Sequence, residues 1–276
     1  MKKNILFIFL FLITTSKVAA IVFDGDYIID KPLKENLCAI TFDDGPTRYT
    51  PYLLDLLEQY NIKATFFMLG KNAELYKDIV KRAINEGHEV ESHSYSHPNL
   101  KRLSIEKITE EIKRTKDILI SLGANPKYFR PPYGIYDDNV LNILKDHDLS
   151  LILWSVDSKD WKRLPIDYAS LLNTKGFSYQ KGDLRGIFLF HDNHKKTVED
   201  LPRIIRDLRA GGCQRFVTVS EYLEDILDPQ EHLMAMFPAG STPIPLARTS
   251  TPWSEENKNL VSREPVFEVF ISKRSH

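Results

Sequence analysis

Five short segments gather the side chains that could do chemistry. "TFDDGP" (residues 41–46) sets Asp43 beside Asp44, "HSYSH" (93–97) sets His93 and His97 four residues apart, and "RPPYG" (130–134) carries Arg130. "DSKDW" (157–161) carries Asp157, Asp160 and Trp161, and "LFHDNH" (189–194) carries His191, Asp192 and His194. Two imidazoles and one carboxylate form a standard ligand set for Zn²⁺ or a similar divalent ion with one position left open for water. His93, His97 and one aspartate of the pair supply that set, which leaves the other aspartate free to take a proton from the bound water. Two adjacent carboxylates can both stay ionised here, because a cation would neutralise one while Arg130 pairs with the other. Hydrolysis of an amide also needs a proton for the departing nitrogen. His191 is the candidate acid, and a carboxylate such as Asp160 beside it would raise its pKa and fix its tautomer. The implied chemistry is metal-assisted hydrolysis.

Each segment alone has a simpler reading: Asp-Gly-Pro is ordinary turn chemistry, a His pair can sit on a surface, and a His after four apolar residues can be a core residue. Position argues otherwise. Apolar β-type runs at residues 37–42, 63–69, 88–92, 127–130, 150–156, 186–190 and 215–219 alternate with helical patterns, and each polar cluster follows one of these runs. Thr50 is expected to cap a helix whose first turn holds Pro51, residues 73–87 to form one amphipathic helix closed by Gly87, and Ser104 and Gly123 to bound another. Further helical patterns cover 137–149 and 198–212. Such alternation implies parallel strands with right-handed crossovers, in an open sheet or a closed barrel. In these architectures the loops at the C-terminal strand ends converge on the active site.

Together and in this order, "TFDDGP", "HSYSH", "RPPYG", "DSKDW" and "LFHD" resemble the five motifs of the NodB-homology polysaccharide deacetylases, carbohydrate esterase family 4. The resemblance spans residues 37–227 and implies an α/β fold, a distorted (β/α) barrel with its active site at the C-terminal ends of the strands. It also implies roles. Asp43 would be the general base, with Asp44, His93 and His97 the ligands of a divalent metal, usually zinc with cobalt as an alternative. Arg130 would orient Asp43, Asp160 would tune the acid His191, and the backbone N–H of Tyr133 would help hold the oxyanion. Trp161 and Leu189 would shape the pocket for the acetyl methyl group. Asp157, Asp192 and His194 receive no role and are taken as structural. The implied reaction is N-deacetylation of N-acetylglucosamine residues in peptidoglycan, chitin oligosaccharide or poly-N-acetylglucosamine. Relatives of the same type that remove O-acetyl groups from xylan or open non-sugar amides are the alternatives within the class. A catalytically inactive glycan-binding protein is the alternative outside it, disfavoured because base, ligands and acid are all in place.

The rest of the chain bounds these readings. With 276 residues, 37 basic and 38 acidic side chains and a formal charge of −1, no global field recruits nucleic acid or an anionic membrane. Lys2 and Lys3 precede a short apolar run that ends in small residues at Ala19 and Ala20, a pattern expected of a secretory signal peptide over 1–20. The run falls short of the about 20 apolar residues that span a bilayer, so export to the periplasm or beyond is expected rather than stable membrane insertion. A lead-in over 21–32, a catalytic domain over 33–228 and a Pro/Ser/Thr-rich tail over 229–276 complete the expected organisation, with a late strand possible at 265–272. Cys38 and Cys213 are either a disulfide or two buried thiols.

Overall fold

A computed structural model describes residues 22–23, 36–162 and 184–226. The expected signal peptide, most of the 162–183 loop and the tail lie outside the described residues. In chain order the elements are β1 (Val22–Phe23), β2 (Leu37–Asp43), α1 (Thr50–Gln59), β3 (Thr65–Met68), α2 (Gly70–Leu75), α3 (Lys77–Asn85) and β4 (Glu89–Ser92). They continue with α4 (Ile105–Ser121), β5 (Tyr128–Phe129), α5 (Asp138–Asp146), β6 (Ser150–Ile152), β7 (Val156–Asp157), β8 (Gly186–His191), α6 (Lys195–Ala210), β9 (Arg215–Val217) and α7 (Val219–Ile226). Among the described residues the nine strands form one sheet in the order β1-β6-β5-β4-β3-β2-β8-β7, with β9 also paired to β2. Every pairing is parallel. The sheet curls into a distorted (β/α) barrel. Among the described residues no helix is long and apolar enough to cross a membrane.

Strand periodicity decides what faces the barrel interior, because successive side chains point to opposite faces. On β2, Cys38, Ile40 and Phe42 pack outward with Leu53, Leu54 and Leu57 of α1 and Ile204 and Ile205 of α6. Leu37 and Ala39 point inward with Phe67, Tyr128, Ile152, Ile187 and Val217. The inward set on β2 therefore ends in Thr41 and Asp43. By the same parity, inward Glu89 and Glu91 lead to His93 just past β4, Tyr128 leads to Arg130 past β5, and Ile187 and Leu189 lead to His191 at the end of β8. Register aligns them, with Asp43 opposite both Phe67 and His191.

Four expectations are corrected. Residues 73–87 form two helices, since Tyr76 leaves helical geometry (φ −117°, ψ 46°). The first of them begins early, at Gly70, where the N–H groups of Gly70 and Lys71 are held by the carbonyls of Ser94 and Tyr95. Thr50 is the first helical residue and does not cap; its hydroxyl donates to Asp192 instead. The 150–156 run breaks into β6 and β7 because the chain changes partners. Leu153 N–H donates to Phe23 O, and two residues on Ser155 N–H donates to Ile187 O, on the other side of the barrel. The last run stops at Val217, and Thr218 and Glu221 form a reciprocal capping box that starts α7. Cys38 and Cys213 are joined as a disulfide with Cα atoms 5.9 Å apart, tying β2 to the turn before β9.

The inward columns begin on two acids. Glu91 accepts the N–H groups of Lys127 and Tyr128 at 2.9 and 2.7 Å, and Glu89 accepts from Thr65 and Ser220. Burial raises both carboxyl pKa values, and the charge of Glu89 raises Glu91 further, well above the ordinary range. A carboxyl whose pKa is raised by folding stabilises the fold at low pH and loses that contribution as pH rises through the folded value. Glu91→Gln keeps an oxygen for both N–H groups and removes the charge. The expected result is a variant whose stability advantage over the parent widens between pH 5 and pH 9 in urea unfolding. Parallel pH profiles would contradict this placement of the charge.

Candidate active site

The inward columns deliver four of the expected residues to one end of the barrel. Asp43 is buried there, its Oδ1 accepting from Arg130 Nη1 at 2.8 Å. The fully buried Arg130 also donates through Nη1 to Thr41 Oγ1 at 2.7 Å and through Nη2 to Leu153 O at 2.9 Å, while its guanidinium lies 3.9 Å over the ring of Phe67. Leu153 belongs to the break between β6 and β7, so the change of strand partner supplies a carbonyl for the guanidinium. Burial raises the pKa of Asp43, against the lowering by Arg130 and His191.

Asp44, one residue past β2, takes a left-handed backbone (φ 73°), which turns its side chain toward the two imidazoles. Its Oδ1 is buried without a hydrogen-bond partner and lies 3.6 Å from His93 Nε2 and 3.4 Å from His97 Nε2. Its Oδ2 accepts from Asn193 Nδ2 at 3.0 Å. His93 Nδ1 faces the carbonyl of Arg130 at 2.7 Å. A carbonyl can only accept, so Nδ1 carries the hydrogen and Nε2 presents its lone pair. Burial lowers the pKa of His93 to about 3, which keeps that lone pair free at neutral pH. One ligand atom from each of Asp44, His93 and His97 lies within 4.8 Å of the others. An orphaned carboxylate oxygen, a fixed tautomer and mutual proximity fit a divalent cation.

On the other side, His191 Nδ1 lies 2.7 Å from Asp160 Oδ1, and His191 N–H donates to Asp160 Oδ2 at 2.7 Å. Thr197 Oγ1 donates to the same Oδ2 at 2.9 Å. Burial alone would lower the pKa of His191, but the hydrogen bond and charge of Asp160 overcome it and raise the group to about 9. Nδ1 is committed to Asp160, so Nε2 is the end that can deliver a proton. Tyr133 sits at the rim, 63% exposed, with φ 61° and its ring 4.6 Å from that of His97. Leu189 lies inward, two residues before His191, and Trp161 is half exposed beside Asp160. Asp157 only closes its own turn by accepting Lys159 N–H, and the His194 ring lies 6.0 Å from that of His191.

Asn193 and Trp154 escaped the sequence reading because their partners lie elsewhere in the chain, and Asp192, taken as structural, is so. Asn193 reaches Asp44 across 149 positions. Trp154 packs against Gly134, where a Cβ would come within 3.0 Å of its ring. Asp192 is fully buried, with its pKa raised to about 7 by burial. Its carboxylate occupies the space beside Gly45, where a Cβ would lie 2.3 Å from Oδ2. Glycine after the aspartate pair therefore answers a close approach as well as a turn.

The family model described as polysaccharide deacetylase matches residues 30–152. A peptidoglycan-N-acetylglucosamine deacetylase of Bacillus cereus is 40% identical over 199 residues, 70% of this chain and 70% of that protein. The crystal structure of a peptidoglycan N-acetylglucosamine deacetylase aligns with TM-score 0.61 at 38% identity, over 74% of this chain and 92% of that one. The chitin deacetylase of the fungal pathogen Colletotrichum lindemuthianum aligns with TM-score 0.62 at 34% identity, over 72% and 91% of the two chains.

The contact between Gly45 and Asp192 sets a test of the loop that carries the aspartate pair. Gly45→Ala is expected to destabilise the fold by about 1–3 kcal/mol through overpacking. Asp192→Ala in the same chain should relieve part of that loss, so the double variant is more stable than the sum of the single effects in urea unfolding. Simple additivity would mean that the carboxylate is not what excludes the methyl group.

Proposed function

Since the chain belongs to the NodB-homology polysaccharide deacetylases, carbohydrate esterase family 4, we propose that it hydrolyses the N-acetyl group of N-acetylglucosamine residues in peptidoglycan, releasing acetate and leaving a free amino sugar. The observation that carries this reading is the pairing, at one barrel end, of a cation-fitting set with a carboxylate on one side and a protonated imidazole on the other. Similarity to peptidoglycan and chitin deacetylases supports an N-acetylated glycan as the substrate class. The match to the Bacillus cereus peptidoglycan enzyme extends over 70% of this chain, which favours the wall polymer. Export, the reading of the N-terminal 20 residues, would bring the enzyme to that polymer.

Asp44, His93 and His97 would hold the divalent ion, zinc by expectation. When bound, the ion supplies Lewis acidity toward the acetyl carbonyl and toward water. The chain's own groups do the rest. Arg130 holds Asp43 Oδ1, which leaves Oδ2, 3.7 Å from His93 Nε2, facing the ligand set. Oδ2 is therefore the atom that accepts the proton of the attacking water. As the carbonyl carbon becomes tetrahedral, the N–H of Tyr133 contributes to holding its oxygen. His191 Nε2 then gives its proton to the departing nitrogen, and the C–N bond breaks. A pKa of about 9 keeps this acid loaded at neutral pH. Leu189 and Trp161 border the space for the methyl group.

The primary test is acetate release from peptidoglycan, chitin oligosaccharides, poly-N-acetylglucosamine and acetylated xylan by metal-depleted and zinc-supplied protein. Zinc-dependent release from peptidoglycan is expected; release from xylan alone would replace the proposed substrate, and no release with zinc bound would favour glycan binding. In the same assay Asp43→Asn should retain the metal and lose about 10²–10⁴-fold in rate. His93→Ala should lose metal and rate together.

The acid role carries its own pH test. An imidazole acid works while protonated, so the rate falls as pH rises through the His191 pKa near 9. Asp160→Asn removes the charge that opposes burial, and the alkaline limb of the rate profile should move to lower pH. An unmoved limb would exclude His191 as the titrating acid.

A further inference from the structure

The two imidazoles that face Asp44 are joined by a three-residue link, Ser94-Tyr95-Ser96, which must reverse direction to aim both Nε2 atoms at one point. Ser94 (φ 67°) and His97 (φ 64°) both lie in the left-handed region, and neither is glycine. Such a conformation costs about 1–2 kcal/mol for each residue with a Cβ, so something outside the turn has to hold it. With the backbone folded this way, the consecutive N–H groups of Tyr95 and Ser96 converge and form a concave site for an anion. That anion is Glu111 of α4. Its Oε2 accepts from Tyr95 N and from Ser96 N at 2.8 Å each, and its Oε1 accepts from Ser96 Oγ at 2.6 Å. One partly buried carboxylate thus takes three hydrogen bonds from two successive residues of the turn.

The other side of the turn is pinned separately. Tyr95 OH donates to Glu74 Oε2 at 2.8 Å, and the Arg114 guanidinium lies 3.7 Å over the Tyr95 ring while reaching Glu74 at 3.2 Å. The carbonyls of Ser94 and Tyr95 accept from the start of α2. These contacts fix the tyrosine and the carbonyl side of the turn. On the N–H side, which leads directly into His97, Ser94 Oγ accepts the His97 N–H at 3.1 Å within the turn, and Glu111 supplies the hold from outside it on Tyr95 and Ser96.

We infer that Glu111 is a positioning residue for the metal set, holding the turn between His93 and His97 in the conformation that brings their Nε2 atoms together. The inference rests on the reading of Asp44, His93 and His97 as cation ligands. The Glu111 carboxylate bonds to Tyr95 and Ser96 of the link and to none of the three candidate ligands. It acts by restricting where His97 can go, so its loss should appear first as weaker metal binding. The two N–H groups lie near the surface, where water can replace the carboxylate, so the fold should survive the substitution.

The test is zinc affinity by competition with a chromophoric chelator at fixed pH, for the full chain, Glu111→Ala, Glu111→Gln and His93→Ala, beside the thermal midpoint of each metal-free protein. Glu111→Ala should weaken zinc binding by about 10–100-fold, as loss of an outer-shell partner does elsewhere, with little change in the metal-free midpoint. Glu111→Gln should recover most of the affinity, because its amide oxygen can accept both N–H groups while its NH₂ donates to Ser96 Oγ. Unchanged zinc affinity in Glu111→Ala, or a Gln variant as weak as the Ala variant, would overturn the inference while the metal reading stood. Failure of the parent chain to bind zinc more tightly than His93→Ala would overturn the metal reading itself, and this inference with it.

Discussion

A guanidinium and a carboxylate buried together, Arg130 and Asp43, organise the barrel mouth. Taking either charge out of water alone would cost several kcal/mol, and hydrogen bonds inside the protein have to replace the lost hydration of a buried pair. Here the two terminal nitrogens of Arg130 meet Asp43, Thr41 and the carbonyl of Leu153, the guanidinium lies over the ring of Phe67, and Nε is left buried without a partner. Its own carbonyl holds Nδ1 of His93. One residue therefore ties together the candidate base, one candidate ligand and the bend at which the chain changes strand partners. The arrangement ranks the oxygens of Asp43 as well, since the one bound to Arg130 is occupied and the other faces the ligand set.

The environment gives two histidines opposite characters. His93 is buried with its Nδ1 hydrogen committed to a carbonyl, so burial prevails and the ring stays neutral. His191 is nearly as buried, yet a carboxylate that contacts both its Nδ1 and its backbone N–H holds the ring cationic. The first presents a lone pair; the second presents a proton. Asp160 can do this because Thr197, from the helix that follows β8, donates to the same carboxylate and fixes its orientation.

Most of the strands, their parallel pairing and the location of all five polar clusters were legible in the sequence, because each depends on local periodicity and on the rule that parallel strands place loops at one end. Where two local readings competed, the choice depended on tertiary partners. Thr50 has the chemistry of a cap, but buried Asp192 claims its hydroxyl. Residues 150–156 read as one strand because nothing local records that Leu153 and Ser155 bond to opposite parts of the barrel. The short strand at Val22 and Phe23 is too brief to show a period, and it is held by pairing with β6. Glu111, Asn193 and Asp192 support the site from distances that spacing cannot reveal. Glu111 lies 15 and 16 residues from the N–H groups it binds, on a helix face that otherwise looks like an ordinary solvated surface.

Strand parity also constrains which changes this scaffold can survive. Asp43, His93, Arg130 and His191 face inward because each stands an even number of residues from inward Leu37, Glu89, Tyr128 and Ile187, respectively. Removing one residue from within β2 or β8 would turn the terminal carboxylate or imidazole onto the helix-covered face, while substituting a neighbour would leave its direction unchanged. Removing two would keep the direction and shorten the reach. Lineages that diversify on this barrel can therefore exchange side chains within the strands, but gains and losses of length are confined to the connecting loops. Specificity can then drift at the rim while the reacting groups stay where the pleat puts them.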